Sequence, residues 1–213
     1  MKLLQKTKIV LWAFTLCFFL ENGYSSTINF KADSMNGSMN ETNSFTELKG
    51  NSWIKNEDIE LTADKITLSG DNYQFIVAEG NVKGTSIESG FSFTCKTLEF
   101  NQDTGIIILK EDVLLEDKEN EIEAKANIIE YDQNTEIATM QINVEITHKD
   151  SLCKATLAIY KKTLKMLDLS GNPEITRDSD LFSAQEITLN METEEITLDG
   201  KVRGSVIEKK TEA

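Results

Sequence analysis

The chain has 213 residues, enough for one sizeable domain, and its 36 acidic against 22 basic residues give a formal net charge of −14. This acidic balance excludes nucleic acid as a partner, because the phosphate backbone would be repelled. The single histidine, His148, excludes a histidine-based catalytic triad and a histidine-rich metal site, and no Gly-rich phosphate loop precedes a helix. The sequence therefore predicts no enzyme, no cofactor and no metal site.

Residues 1–25 have the pattern of a secretory signal peptide. Lys2, Lys6 and Lys8 precede an apolar run of 12 residues, 9–20, and small residues on either side of Tyr24 follow it. A membrane-spanning helix needs about 20 apolar residues. We therefore expect export with cleavage of this segment, and an uncleaved anchor is the alternative.

Residues 28–204 repeat one pattern six times. Each copy has an anchor in which a small residue precedes a polar one, and successive anchors lie 31, 32, 31, 29 and 29 residues apart. The anchors are Ala32-Asp33, Ala63-Asp64, Cys95-Lys96, Ala126-Asn127, Ala155-Thr156 and Ala184-Gln185. A unit of about 30 residues cannot bury its own apolar face, so the copies are expected to stack and share one core.

A second marker, of the Gly-Asn-Val kind, follows each anchor. The six markers are Gly50-Asn51, Gly80-Asn81-Val82, Glu111-Asp112-Val113, Ile142-Asn143-Val144, Gly171-Asn172-Pro173 and Gly200-Lys201-Val202. Gly, Asn and Asp favour tight turns. We therefore expect the anchor to form one corner of each copy and this marker to form a second.

Within the second copy, Ile59, Leu61 and Ala63 alternate with polar residues, and the alternation then slips by one so that Ile66 and Leu68 continue it. Alternation of period two indicates a half-buried strand, and a slip at a fixed place indicates a bulge that keeps the apolar side inward. Helix signals are nearly absent, and residues 151–161 fit a strand better than a helix. The sequence predicts an all-β fold in which strands stack along one axis, as two facing sheets or a flattened spiral, around an apolar seam.

The predicted domain organisation is a signal peptide at 1–25, a repeat domain at 26–204 and a charged tail at 205–213. Residues 36–43 are polar and are expected to form a loop. Cys95 and Cys153 are expected to be free, buried thiols. The triplet Asp103-Thr104-Gly105 matches the aspartic protease signature, but it falls where every copy needs a hairpin turn, so we expect a turn and no catalytic residue.

The runs at residues 59–68 and 77–83 resemble the OstA-like family, which includes the LptA-type lipopolysaccharide transport proteins. The family pattern is Ala-Asp, one residue and a hydrophobic strand, then a turn and Gly-x-Val, and here it extends over residues 28–204. The resemblance implies an elongated, open β-jelly roll, V-shaped in section, whose apolar groove carries acyl chains in the periplasm. It is compatible with an LptA-like or a membrane-anchored LptC-like type, and the short apolar run favours the former. One departure from the family is that no basic cluster is present to meet lipid phosphates.

The apolar residues expected to face the seam are the candidate lipid-binding residues. They are Ile66, Leu68, Phe75, Val77, Leu98, Phe100, Ile106, Ile108, Ile129, Tyr131, Leu167 and Leu198. The same residue types also fill the core of an ordinary β-sandwich, so the residues alone leave a groove and a packed core open. The resemblance favours the groove.

An open stack of strands leaves two unpaired sheet edges. Ile28 and Phe30 at one end, and Val202 and Val206 at the other, are expected to meet another chain by strand addition. From the resemblance we expect a lipid cargo, end-to-end self-association, and LptC-like and LptD-like proteins at the two ends. The alternatives are a structural or adhesive solenoid with a packed core and no lipid, and a hydrolase acting through Asp103.

Overall fold

The structure, a computed structural model, describes residues 27–38, 40, 44–87 and 89–207, and these residues form sixteen strands and one 3-10 turn, Asp71–Tyr73. The strands are β1 (Asn29–Lys31), β2 (Ser34–Ser38), β3 (Phe45–Lys55), β4 (Ile59–Ser69), β5 (Phe75–Ser86), β6 (Phe91–Asn101), β7 (Ile106–Asp117), β8 (Ile122–Asp132), β9 (Ile137–His148), β10 (Ser151–Lys161), β11 (Met166–Ser170), β12 (Glu174–Arg177), β13 (Asp180–Ser183), β14 (Glu186–Asn190), β15 (Ile196–Asp199) and β16 (Arg203–Ser205). In this part of the chain no helix is long and apolar enough to cross a bilayer. The all-β prediction is confirmed, and residues 151–161 are a strand.

All sixteen strands belong to one antiparallel meander. The strands β3 to β10 are each 11 or 12 residues long. Two short strands pair with the two halves of one long strand at two places. β1 and β2 both pair with β3, and β11 and β12 both pair with β10. The chain thus makes twelve long passes, two for each of the six sequence copies.

The sheet folds along a line where the register shifts between neighbouring strands. Between β4 and β5 the shift falls at Ala63-Asp64 on one strand and at residues 80–82 on the next. The anchor and the second marker therefore face each other on adjacent strands and form one shared corner, where we had expected two separate ones. Asn81 Nδ2 donates a hydrogen bond to Asp64 Oδ2 over 2.8 Å, which ties the two markers together.

The backbone of the second marker explains its composition. Two consecutive residues there have positive φ, 76° at Gly80 and 47° at Asn81, and the left-handed region favours Gly and Asn. A Cβ at Gly80 would also lie 2.4 Å from Asp64 Oδ2. The recurrence of both markers is therefore a requirement of the corner.

The fold line divides the sheet into two walls. The first wall contains β1, β12, β13 and β16 with one half of each long strand, and the second wall contains β2, β11, β14 and β15 with the other halves. One face of each wall turns inward and carries the continuous apolar core, which includes Leu61 and Ile146 in the first wall and Ile66 and Leu98 in the second. The side opposite the fold line, where the turns of both walls lie, is here called the mouth. This is the open β-jelly roll that the sequence predicted.

Two predicted segments differ at the ends of the domain. Residues 36–38 belong to β2, paired with β3, because the first copy needs a strand along that half of β3; residues 39 and 41–43 lie outside the described residues. At the other end Ser205 closes β16, and the Ile207 amide donates to Asp180 Oδ1 over 2.9 Å, so the ordered chain extends past residue 204. The predicted signal peptide and residues 208–213 of the tail lie outside the described residues.

The corner can be tested with two glycines of similar backbone conformation. Gly80→Ala should lower the free energy of unfolding by about 2–3 kcal/mol, because it adds a clash with Asp64 to the cost of a left-handed alanine. Gly90 has φ +73° but open space around its Cβ position, so Gly90→Ala should cost only about 1 kcal/mol. Urea midpoints at constant m-value would measure both. Equal losses would show that the packing against Asp64 contributes nothing.

The fourth corner places a β-branched residue in the left-handed region, since Ile142 has φ 65° and is 46% exposed. Glycine removes that strain, so we expect Ile142→Gly to raise the free energy of unfolding by about 0.5–1 kcal/mol. Ile87 is 45% exposed and has no positive φ, so Ile87→Gly should lower the free energy of unfolding by about 1 kcal/mol. Thermal unfolding of the two variants would give opposite signs. Destabilisation by both would contradict the assignment of strain to Ile142.

Candidate functional site

The interior between the walls collects eight of the twelve candidate lipid-binding residues. They are Ile66, Leu68, Leu98, Phe100, Ile129, Tyr131, Leu167 and Leu198. The first seven are at most 4% exposed, and Leu198 is partly buried against the same core. Cross-strand pairing aligns them, since Leu68 lies opposite Ile76, and Ile76 opposite Phe100.

The other four candidates, Phe75, Val77, Ile106 and Ile108, lie on the opposite, outward face of the second wall, so the prediction that they face the seam is wrong. Val77 and Ile108 both pair with Glu99, and Phe75 and Ile106 both pair with Asn101, all on the outer side. The error has a physical cause. Both segments are unbroken apolar runs, in which alternation gives no phase, and the pairing of Ile76 and Ile107 with Phe100 decides which residues turn inward. The four outward residues instead line a shallow apolar depression of about 440 Å³.

The sequence prediction also omitted the interior of the first wall. Ile54, Ile59, Leu61, Phe91 and Phe93 are all at most 3% exposed and face the second wall. Their alternation with polar residues was a usable signal, because Phe91, Phe93 and Cys95 repeat the pattern of the second copy.

In the first wall the ring of Phe93 covers Gly84 on the neighbouring strand. A Cβ at Gly84 would lie 2.3 Å from the Phe93 ring, so the aromatic side chain occupies the space that a larger residue would need. Gly84 and Phe93 are cross-strand partners within the first wall, so a larger residue at position 84 would displace the ring.

The mouth is closed by contacts between the two walls. The rings of Phe91 in the first wall and Tyr131 in the second meet edge to face, with centroids 4.8 Å apart. Three polar bridges also cross the mouth. Each joins a residue at the outer end of the first wall to one in a turn of the second wall.

The first bridge runs from Asn56 Nδ2 to Gln102 Oε1 over 2.7 Å. In the second bridge Lys162 donates to the Ser89 carbonyl and lies 3.5 Å from Asp117 Oδ2. In the third bridge Glu194 accepts from Lys149 Nζ over 2.8 Å and from Arg177. We call these three bridges the mouth latch.

The charges at the mouth shift the pKa values of several groups. Hydrogen bonds from Lys149 and Arg177 lower the pKa of Glu194 to about 2, so its stabilising contribution is complete above the usual glutamate pKa and is lost as the pH falls towards 2. Burial and the neighbouring Lys149 lower the pKa of His148. Burial, then Asp117, raises the pKa of Tyr160, whose hydroxyl has no hydrogen-bond partner among the described residues.

Among residues 27–207, apart from those left undescribed, no group of three or more His, Cys, Asp or Glu side chains is placed to hold a metal ion. Residues 103–105 form a turn in which Asn101 Oδ1 accepts from the amides of Asp103 and Thr104. Cys95 and Cys153 are free and buried, and burial raises their thiol pKa values to about 11 and about 12.

The two ends of the sheet present backbone edges. Among the strands that the structure describes, β1 and β2 pair only with β3, while β15 pairs only with β14 and β16 only with β13. Among the predicted edge contacts, Phe30, Val202 and Val206 are 47%, 55% and 68% exposed, whereas Ile28 is partly buried against the core.

A folded antiparallel meander with a continuous apolar interior and two free ends defines a repeat-built β-jelly roll. A family model described as LptA/(LptD N-terminal domain) LPS transport protein matches residues 30–163 and residues 133–195, and the chain belongs to this family. Its members are transport proteins.

LptH, described as the LptA-homologous periplasmic component of the lipopolysaccharide transport device from Pseudomonas aeruginosa, is a solved structure similar to this chain. It is 10% identical, with a TM-score of 0.27, over 85% of this chain and 96% of LptH. No curated protein matches the chain.

Proposed function

We propose that this protein holds the acyl chains of lipopolysaccharide, or of a related acylated envelope lipid, between its two walls and passes them towards the outer membrane. The observation that supports this function is the continuity of the apolar interior along the whole stack. In the second wall an inward row joins strand to strand through Leu68, Ile76, Phe100, Ile107, Tyr131, Ala138, Tyr160, Leu167, Leu189 and Ile196. With neighbouring strands about 4.8 Å apart, this row extends over roughly 45 Å.

The mechanism is passive. Each methylene group of an acyl chain that leaves water for such an interior gains about 0.8 kcal/mol, whichever repeat it occupies. Because the transfer free energy is the same all along the row, an acyl chain can move from repeat to repeat without a large change in free energy. Directed movement requires an energy source outside this chain.

Location and domain organisation belong to the same proposal. The basic start and short apolar run of residues 1–25 support export to the periplasm, with the mature protein beginning near residue 26. A soluble LptA-like role follows if this segment is cleaved, and an LptC-like role if it remains as an anchor. N-terminal sequencing of the protein from its own envelope distinguishes the two.

The interior can be probed with two matched phenylalanines of the second wall. Phe100 faces inward and is 2% exposed, whereas Phe75 faces outward and is 41% exposed. A photo-reactive benzoylphenylalanine at position 100 should crosslink to lipid in cells, and the same group at position 75 should not. Mass spectrometry of the crosslinked product names the cargo.

Crosslinking at position 75 alone would place the lipid on the outer depression and overturn the interior site.

A packed interior with a latched mouth also suits the second candidate, a structural scaffold without lipid. Organic extracts of residues 26–213, purified without detergent from the native periplasm, decide between them. A stoichiometric lipid supports the carrier, and a lipid-free protein supports the scaffold.

We also propose that copies of the protein assemble end to end, with LptC-like and LptD-like proteins at the two ends of the row. The free backbone edges at β1–β2 and β15–β16, with exposed Phe30 and Val202 beside them, support strand addition.

The assembly is tested by blocking one edge at a time. Asn36→Pro in β2 and Thr197→Pro in β15 each remove a backbone donor at one end only. Each variant alone should stay monomeric at concentrations where the unmodified protein forms chains, and an equal mixture should stop at dimers. Light scattering measures all four samples, with circular dichroism as the folding control. A strictly monomeric unmodified protein at high concentration would count against assembly.

A further inference from the structure

The interior is closed along its length in this structure. The inward residues Leu48, Ile66, Leu98, Ile129 and Met140 are at most 1% exposed, so no continuous channel separates the walls. An acyl chain that enters between the walls, at an end or at the mouth, must therefore move the two walls apart.

The two sides of the folded sheet resist separation differently. At the fold line the walls are joined by the covalent backbone of β3 to β10, since each of these strands continues from one wall into the other. At the mouth the described residues are joined by side chains: the Phe91–Tyr131 contact and the mouth latch. The mouth can therefore open without loss of any hydrogen bond between adjacent strands.

Lys162 is the most buried cation of the latch. Its side chain is 14% exposed and that of Asp117 is 4%, whereas Lys149, Arg177 and Glu194 are 33–39% exposed. Asp117 is also fixed from its own wall, because Asn120 donates to it through Nδ2 over 2.8 Å and through its amide over 3.2 Å. Lys162 is thus the part that approaches from the other wall.

The energetics suit a releasable contact. A buried ion pair contributes little net stability, because its attraction is offset by desolvation of both charges, yet it fixes geometry closely. When the walls part, Lys162 and Asp117 regain water, and Asp117 keeps its two bonds from Asn120. An apolar contact in the same place would have no such compensation on opening.

We propose that Lys162 is the releasable fastener of the mouth: the walls open by breaking its contacts with Asp117 and the Ser89 carbonyl, pivot on the corners, and so admit acyl chains. What enters rests on the proposed function, but the opening is a property of the protein alone.

The opening is tested first without lipid, by hydrogen exchange of the full chain. Lys162→Met keeps the length of the side chain and removes its charge, so the buried Asp117 carboxylate loses its cation in the closed mouth and the open, hydrated arrangement is favoured. It should speed exchange in the turns around Ser89 and Asn120 by at least about ten-fold, with unchanged exchange at the corners.

The matched control is Lys165→Met, three residues away. Lys165 pairs with Glu192 at 3.3 Å in the second wall, so this ion pair does not cross the mouth. The control should exchange like the unmodified protein. Equal exchange in the two variants overturns the proposal.

The second test replaces the contact between Lys162 and Ser89 with a covalent crosslink between the two walls. In Ser89→Cys/Lys162→Cys, a short bifunctional thiol reagent that a reductant can cleave joins the walls, and the native thiols, being buried, are left in place. A fluorescent long-chain fatty acid reports loading. The uncrosslinked variant should load faster than the unmodified protein, the crosslinked form should lose at least about ten-fold in loading, and reduction should restore it.

The control pair is Lys165→Cys/Glu192→Cys, whose crosslink lies within one wall and should leave loading unchanged. Full loading of the Ser89–Lys162 crosslinked form would overturn the latch. If no form loads, carriage of acyl chains fails as the function, and the exchange experiment still decides the latch. If Lys162→Met does not fold, the crosslinked and reduced forms decide it.

Discussion

Every part of this structure depends on the fact that no single repeat can bury its own apolar face. Two passes of about 11 residues form only a hairpin, which is marginal alone in water. Stacking six such hairpins gives every strand except those at the two ends two neighbours, and folding the sheet along one line covers its apolar face with itself. The corner makes this possible, because the Ala-Asp anchor and the Gly-Asn marker meet there and let each strand bend while its apolar side stays inward.

The corner also explains which deviations the chain tolerates. Gly50, Gly80, Gly171 and Gly200 supply the first left-handed residue in four copies, while Glu111 and Ile142 occupy it in the other two. A glutamate or isoleucine there is strained, yet hydrogen bonds on either side of the corner hold the backbone in place. The strain of single copies is distributed over a cooperative sheet, as is usual in repeat proteins, where each unit is stabilised by its neighbours.

The same architecture creates a conflict between stability and transport. A sheet folded on itself is most stable when its interior is packed and its mouth is closed. A lipid carrier, however, must open to admit an acyl chain. Polar contacts at the mouth are suited to this conflict. The described interior is apolar near the fold line, and its charged pairs lie at the rim, where Asp117, Lys162 and Glu194 can exchange their partners for water. Opening at the rim leaves the backbone ladder and the corners intact.

The sequence by itself determined the repeat number, the all-β class, the turn at Asp103 and the positions of the corners, because each is set by local chemistry: period-two alternation, residues that tolerate positive φ, and polar turns. Alternation also identified Ile66, Leu68 and Leu98 as inward. Only the tertiary structure decided the phase of the apolar runs at Phe75 and Ile106, since a run without polar residues fits either face until its neighbour fixes the register. Likewise, the shared corner joins residues 17 positions apart, as at Asp64 and Asn81, and the bridge from Lys162 to Asp117 joins residues 45 positions apart. These residues come into contact only when the whole sheet has folded, so no local sequence pattern predicts their contacts.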